Sequence, residues 1–262
     1  MRTTPFKEKY GPYALVAGGS YGLGAAFAEA IARRGLNVVL LARQEDRLQA
    51  TAVRLKQTYG VDVIAFAADV AHYQSVKQRL GELNVDIGLL VYDAAYAPIG
   101  PFKDVTEDQL ARATEVNVRA PLLLTKLLSA PMIERGRGGI VLMSSLAGSQ
   151  GSPNIAAYAA TKSFNAILAE GLWKELGPHG VDVLACMAGA ILTPGYQAAE
   201  SAKPAPGTLK AKDVAEQTLN ALGKGPIIVP GRVNKLARFI LMRLLSRRAA
   251  IAIMSKNTGG LS

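Results

Sequence analysis

The chain has 262 residues, half of them apolar and 19% charged, with one cysteine, Cys186. That balance excludes long disorder and any internal disulfide, and it suits a single large domain in a reducing, cytoplasmic setting. The net charge of +10 is uneven: residues 224–262 hold eight Lys or Arg and no acid, while the rest is nearly neutral with 22 basic and 20 acidic residues, so no nucleic-acid partner is expected of the body.

The first ten residues carry no apolar run and predict no signal peptide. Apolar runs predict strands over 13–17, 37–42, 61–67, 87–92, 139–144, 181–187 and 227–229, with Ala-rich amphipathic helices between them. None of these runs reaches the roughly 20 residues of a spanning helix. Gly35, Gly60, Gly138 with Gly139, and Gly180 fall just before strands, where a helix must stop. Such alternation predicts an α/β fold: a Rossmann-like doubly wound parallel sheet of about seven strands, covered by helices on both faces, with ligands at the carboxyl ends of the strands.

The first strand runs into Gly18-Gly19-Ser20-Tyr21-Gly22-Leu23-Gly24 and a helix expected from about Ala25. Glycines let the backbone turn tightly against a pyrophosphate, and the helix N-terminus offers free N–H groups. Gly18, Ser20, Tyr21, Gly22, Leu23 and Gly24 are therefore candidate cofactor-binding residues. Arg43 ends the second strand about 20 residues further on, where such folds read the adenosine ribose. A carboxylate there selects NAD, whereas an arginine pairs with a 2′-phosphate, so Arg43 points to NADP(H). The alternative is a solvated arginine, with Glu45 or Asp46 reading the ribose.

Tyr158 and Lys162 stand four residues apart on a predicted helix, thirteen residues after Ser145. Positions i and i+4 share a face, so the ammonium can stand beside the phenol and pull its pKa below the usual value of about 10. A phenol tuned that way exchanges a proton with a carbonyl or alcohol oxygen.

On these motifs, in this order, the chain resembles the short-chain dehydrogenase/reductases over about residues 11–230. The resemblance implies a catalytic set of Asn117, Ser145, Tyr158 and Lys162. In it Tyr158 is the acid/base and Lys162 tunes it and bonds the nicotinamide ribose, while Ser145 holds the substrate oxygen and Asn117 anchors a relay water. It also implies Asp69 and Val70 at the adenine, Ala94 and Ala95 along the cofactor, and Ile191 and Thr193 at the nicotinamide carboxamide, with no metal. A homodimer or homotetramer is the usual assembly. Three positions depart from the family pattern: Ala17 replaces threonine, Tyr92-Asp93-Ala94-Ala95 replaces Asn-Asn-Ala-Gly, and Ala188 replaces proline before Gly189.

The expected organisation is a dinucleotide-binding and catalytic unit over 1–230, a lid near 193–210, and a basic, apolar extension over 231–262. The lid carries few charges, which favours a small or medium apolar carbonyl or alcohol as substrate. If residues 235–245 are helical, Ala237, Ile240, Leu241, Leu244 and Leu245 gather opposite Lys235, Arg238 and Arg243. That face either meets the inner surface of a membrane peripherally or docks on the protein itself. The functional expectation is an NADP(H)-dependent oxidoreductase interconverting a ketone and a secondary alcohol, working as a reductase of an apolar carbonyl of the 3-oxoacyl, steroid-like or similar kind. The alternatives are a catalytically weak cofactor-binding sensor or scaffold, and a membrane-tethering module. His72 and His179 read as surface residues and Cys186 as inert core.

Overall fold

The computed structural model describes residues 5–193 and 205–259. In chain order the strands are β1 (Tyr13–Ala17), β2 (Asn37–Ala42), β3 (Val63–Ala67), β4 (Ile87–Tyr92), β5 (Gly138–Ser145), β6 (Val181–Ala188), β7 (Ile191–Leu192), β8 (Leu209–Lys210) and β9 (Ile227–Ile228). Seven of them form one parallel sheet in the order β3-β2-β1-β4-β5-β6-β9, with β7 and β8 as a separate short pair. The helices are α1 (Phe6–Tyr10), α2 (Gly22–Ala32), α3 (Glu45–Tyr59), α4 (Tyr73–Glu82), α5 (Glu107–Thr114), α6 (Ala120–Glu134), α7 (Ala156–Leu176), α8 (Ala211–Ala221), α9 (Arg232–Phe239) and α10 (Arg247–Thr258).

Alternating side chains on each strand feed two apolar layers. Ala14 and Val16 of β1, Val141 and Met143 of β5, and Leu184 and Cys186 of β6 face the layer under α2, α3 and α8. Leu15, Ile140, Leu142, Val183 and Ala185 face the layer under α4, α6 and α7. Both faces of the sheet are dry, which is why its strands read as continuous apolar runs rather than alternating ones. Between β1 and β4 the winding reverses, leaving a crevice at the carboxyl ends of these two strands. Ala17 O accepts from the N–H groups of both Asp93 and Ala94 at 2.8 Å and closes its floor.

The expected sheet is present, and the differences are local. β3 begins at Val63 rather than 61, β5 takes in Gly138, and β6 runs to Ala188. Gly60 and Gly180 stop their helical segments in left-handed backbone, with φ of 66° and 79°. Gly138 and Gly139 do not: they lie inside β5, where a Cβ on Gly138 would strike Met132. The glycines there admit α6 close to the strand. The expected helix over 235–245 is instead α9 followed by a π turn, Ile240–Leu244, and then α10. Most of the expected lid, residues 194–204, lies outside the described residues.

Candidate active site

α2 starts at Gly22, three residues earlier than the sequence predicts, because Gly18 and Gly22 adopt φ of 94° and 57° and turn β1 directly into it. A Cβ on Gly24 would lie 2.1 Å from Gly18 O and 3.0 Å from Asp93 Oδ2, so the turn closes only around glycine there. The first turn of α2 faces a cleft with two joined chambers, of about 370 and 500 Å³, that share Tyr21, Asp93 and Ala95 as a common wall.

The first chamber gathers Gly18, Ser20, Tyr21, Arg43, Asp69 and Val70, with Ala94 beside Ala95. Arg43 is exposed at its edge. Glu45 and Asp46, the alternative ribose readers, do not line it. Two further arginines do, and sequence reading missed both. Arg47 lies 4.7 Å from the Tyr21 ring centroid, and Arg112 pairs with Asp69 at 2.6 Å. Partial burial would raise the Asp69 carboxyl, but the Arg112 hydrogen bond and the Ala71 N–H outweigh it and hold the group below the usual carboxylate range. Arg43 precedes α3 and Arg47 lies in its first turn, facing the same chamber, so a second arginine just inside the helix that follows β2 is the signal that could have found it.

The second chamber gathers Gly22, Leu23, Ser145, Tyr158 and Lys162, closed on one side by Ile191 and Thr193. β5 delivers Ser145 at its carboxyl end, and α7 delivers Tyr158 and Lys162 one turn apart on its inner face. Ser145 hydrogen-bonds the Tyr158 phenol, and its Oγ also accepts from Ala147 N at 3.2 Å. Lys162 is buried, with its Nζ donating to Met143 O at 3.0 Å and standing 5.4 Å from the Tyr158 ring centroid. Ser144 Oγ donates to Lys162 O at 2.7 Å and pins that turn of α7 to β5.

The expected lowering of the Tyr158 pKa is not what the site produces. Burial, followed by the charge of Asp93, pushes the phenol up to about 12 against the Ser145 hydrogen bond. Burial likewise brings the Lys162 ammonium down to about 8, although Asp93 acts the other way. For both groups desolvation is the largest cause, because burial penalises the phenolate and the ammonium alike. Asp93 itself is raised by burial to about 6, against the pull of Lys162 and the Gly24 N–H. The sequence marks Asp93 as a departure from the family pattern, yet assigns it no part. Its position at the end of β4, facing the switch point, gives it one.

Asn117 does not line the cleft. It is fully buried in a π turn, Glu115–Arg119, that joins α5 to α6. Its Oδ1 accepts from Tyr96 N at 2.8 Å, and its Nδ2 donates to Tyr96 O at 2.7 Å and Thr161 Oγ1 at 3.1 Å. Both amide hydrogens are committed, so the side chain ties the loop after β4 to α7. Its backbone O accepts from Asn165 Nδ2 at 3.1 Å, and Asn165 Oδ1 is buried with no protein partner. Asn165, a second buried amide on α7, was missed because a lone Asn on a helix carries no sequence signal.

His72 and His179 are exposed. Cys186 is buried, its thiol pushed up to about 12 by desolvation, with Thr218 Oγ1 at 3.2 Å from its Sγ.

A parallel doubly wound sheet with a glycine turn, an arginine-lined chamber and a Ser-Tyr-Lys cluster at its carboxyl edge defines a nicotinamide-dependent oxidoreductase class. The chain belongs to the short chain dehydrogenase family, whose pattern matches residues 12–204. Its members are oxidoreductases that bind a nicotinamide cofactor, act on small molecules and often form oligomers.

Three comparisons give the particulars. The chain is 33% identical to the mouse (Mus musculus) "Inactive hydroxysteroid dehydrogenase-like protein 1" over 202 residues, 76% of this chain and 59% of that protein, so it spans little more than half of that relative. The solved structure of a 7β-hydroxysteroid dehydrogenase superposes with a TM-score of 0.91 at 26% identity, covering 96% of this chain and all of the other. A short-chain dehydrogenase from Sphingobium yanoikuyae in complex with NADPH superposes with a TM-score of 0.76 at 32% identity, covering 84% and 87% of the two chains.

Proposed function

We propose that the protein is an NADP(H)-dependent oxidoreductase that interconverts a bulky apolar ketone, steroid-like or long-chain, and its secondary alcohol. The observation that carries this reading is the convergence of Ser145, Tyr158 and Lys162 on one chamber that continues into an arginine-edged one. Gly18, Gly22 and the N-terminus of α2 would hold the diphosphate, because a Cβ on Gly22 would sit 3.2 Å from Thr193 Cγ2 in the cradle such a group needs. Arg43 and Arg47 would hold the 2′-phosphate, and Asp69 with Val70 the adenine. A bound nicotinamide supplies the hydride that the carbonyl carbon accepts.

Every other part belongs to the chain. Ser145 donates to the substrate oxygen, and Tyr158 gives that oxygen its proton. A phenol held up at about 12 keeps its proton at neutral pH, which favours carbonyl reduction. Lys162 bonds the ribose, and Asn117 O with Asn165 Oδ1 holds the relay water behind it. Residues 1–230 form the catalytic unit and 231–262 its extension. The exposed apolar face of α7, with Ile167 at 64% exposure, suits assembly into a dimer or tetramer, and the single buried cysteine suits a cytoplasmic setting.

The test is NADPH oxidation over a ketone series, with Tyr158→Phe beside the native protein. Tyr158→Phe should lose about 10³-fold or more of kcat while NADPH still binds. Full turnover by that variant would reject the assignment, and a preference for NADH would reject the part given to Arg43. A second reading, a cofactor-binding protein without turnover, is favoured by the name of the mouse relative. It predicts NADPH binding with no ketone-dependent oxidation anywhere in the series.

A further inference from the structure

α9 and the π turn carry their apolar side chains on two adjoining faces, one partly covered and one exposed. Asn234 is buried and Ala237, Leu241 and Leu245, following it at spacings of three or four residues, are partly covered, with Asn234 Nδ2 donating to Gly207 O and Pro230 O at 3.0 Å. One position earlier in each turn, Val233, Leu236, Ile240 and Leu244 face out, flanked by Phe239 and Met242. Val233, Leu236, Phe239 and Leu244 are each more than half exposed, at 56, 59, 54 and 64%. A ridge of six large apolar side chains on solvent is unusual for a surface that meets only water.

The charge around the ridge points to its partner. Arg232, Lys235, Arg243, Arg247, Arg248 and Lys256 are all exposed. Among the described residues none of them forms an ion pair, and residues 224–262 contain no acid to neutralise them. A second copy would bring the same cations against these and be repelled. A nucleic acid would match the charge but offer the ridge nothing apolar. An anionic bilayer surface satisfies both, with headgroups for the cations and acyl chains for the ridge.

We infer that α9, the π turn and α10 form a peripheral docking surface for anionic phospholipid. The inward faces of the same elements fix its position. Arg247 Nη1 donates to Ser149 O at 3.1 Å, Asn154 Nδ2 donates to Thr258 O at 3.1 Å, and Ile251 lies against Gly151. The ridge is thus fastened to the segment that follows β5, at the end of the sheet that carries the Ser145 and Tyr158 chamber.

The experiment is co-sedimentation of the full chain with vesicles of phosphatidylcholine alone and of phosphatidylcholine mixed with phosphatidylglycerol. The inference expects binding only to the mixed vesicles, fading as salt rises toward roughly 0.5 M. Changing Arg232, Lys235 and Arg243 together to Glu should lower partitioning at least tenfold. Leu236→Ala with Leu244→Ala should lower it about tenfold by shrinking the ridge. Equal sedimentation with both vesicle types, or none with either, overturns the inference using the native chain alone. It is equally overturned if the triple variant binds undiminished, if the double-alanine variant only dissolves a dimer, or if duplex DNA binds through the tail more tightly than the vesicles do. None of these readings depends on turnover, so they stand apart from the test of the catalytic proposal.

Discussion

A carboxylate beside the Tyr158 and Lys162 pair changes how this site titrates. Asp93 holds its proton up to a pH of about 6, above the ordinary 3.8, while Lys162 gives its own up near 8 rather than 10.5. Between about 3.8 and 6 the folded protein binds a proton at Asp93 that the unfolded chain has lost, so this group's contribution to stability falls as pH rises through that window. Lys162 works in the other direction. From about 8 to 10.5 the unfolded chain holds the extra proton, so stability gains as pH rises there. Asp93→Asn should remove the first dependence, which urea unfolding of the variant and the native protein from pH 4 to 7 would measure. Taking a negative charge away from the phenol should also move the acid limb of alcohol oxidation to lower pH. An unchanged profile would mean that Asp93 is electrically uncoupled from Tyr158.

At the scale of single elements, two departures from regular helix place the site. The turn into α2 works because Gly24 lets Gly18 O and Asp93 approach where any side chain would intrude. Gly24→Ala should therefore force the turn apart and weaken NADPH binding by roughly a hundredfold or more, at a cost of about 2–3 kcal/mol in stability. Fluorescence titration and thermal melting would read the two effects separately, and an alanine variant that binds like the native protein would show that the turn has slack. The π turn at Glu115–Arg119 does the opposite job. By inserting one extra residue between α5 and α6 it turns Asn117 inward, where three side-chain hydrogen bonds fasten Tyr96 and Thr161. The residue type at 117 was legible from its place in the motif series, whereas the backbone irregularity that aims it was not.

Across the whole molecule, contacts between distant segments decide what surrounds the sheet. Tyr10 OH donates to Asp182 Oδ2 at 2.5 Å and binds α1 to β6, and Arg34, in the turn after α2, pairs with Glu216 of α8 at 2.8 Å. α10 is held to the segment after β5 by Arg247 and Thr258, and it buries Ala250. Ending the chain after Leu245 should keep the sheet intact but lower the melting temperature by about 5 °C and slow ketone turnover by loosening the loop that follows Ser145. Circular dichroism and the NADPH assay would check both, and a truncated protein with unchanged melting would mean that α10 is only laid on the surface. The sheet, the glycine turn and the Ser145, Tyr158 and Lys162 cluster were readable from sequence because each depends on local rules: apolar runs of strand length, glycine where backbone closes on backbone, and helical spacing of four. The partition of the tail was not. Ala237, Leu241 and Leu245 are partly covered while Ile240 and Leu244 are exposed. Periodicity marks an apolar face but cannot say which part of it the rest of the fold covers. The direction of the Tyr158 shift also waited on tertiary structure, since it depends on the burial that folding imposes and on a carboxylate 65 positions earlier in the chain.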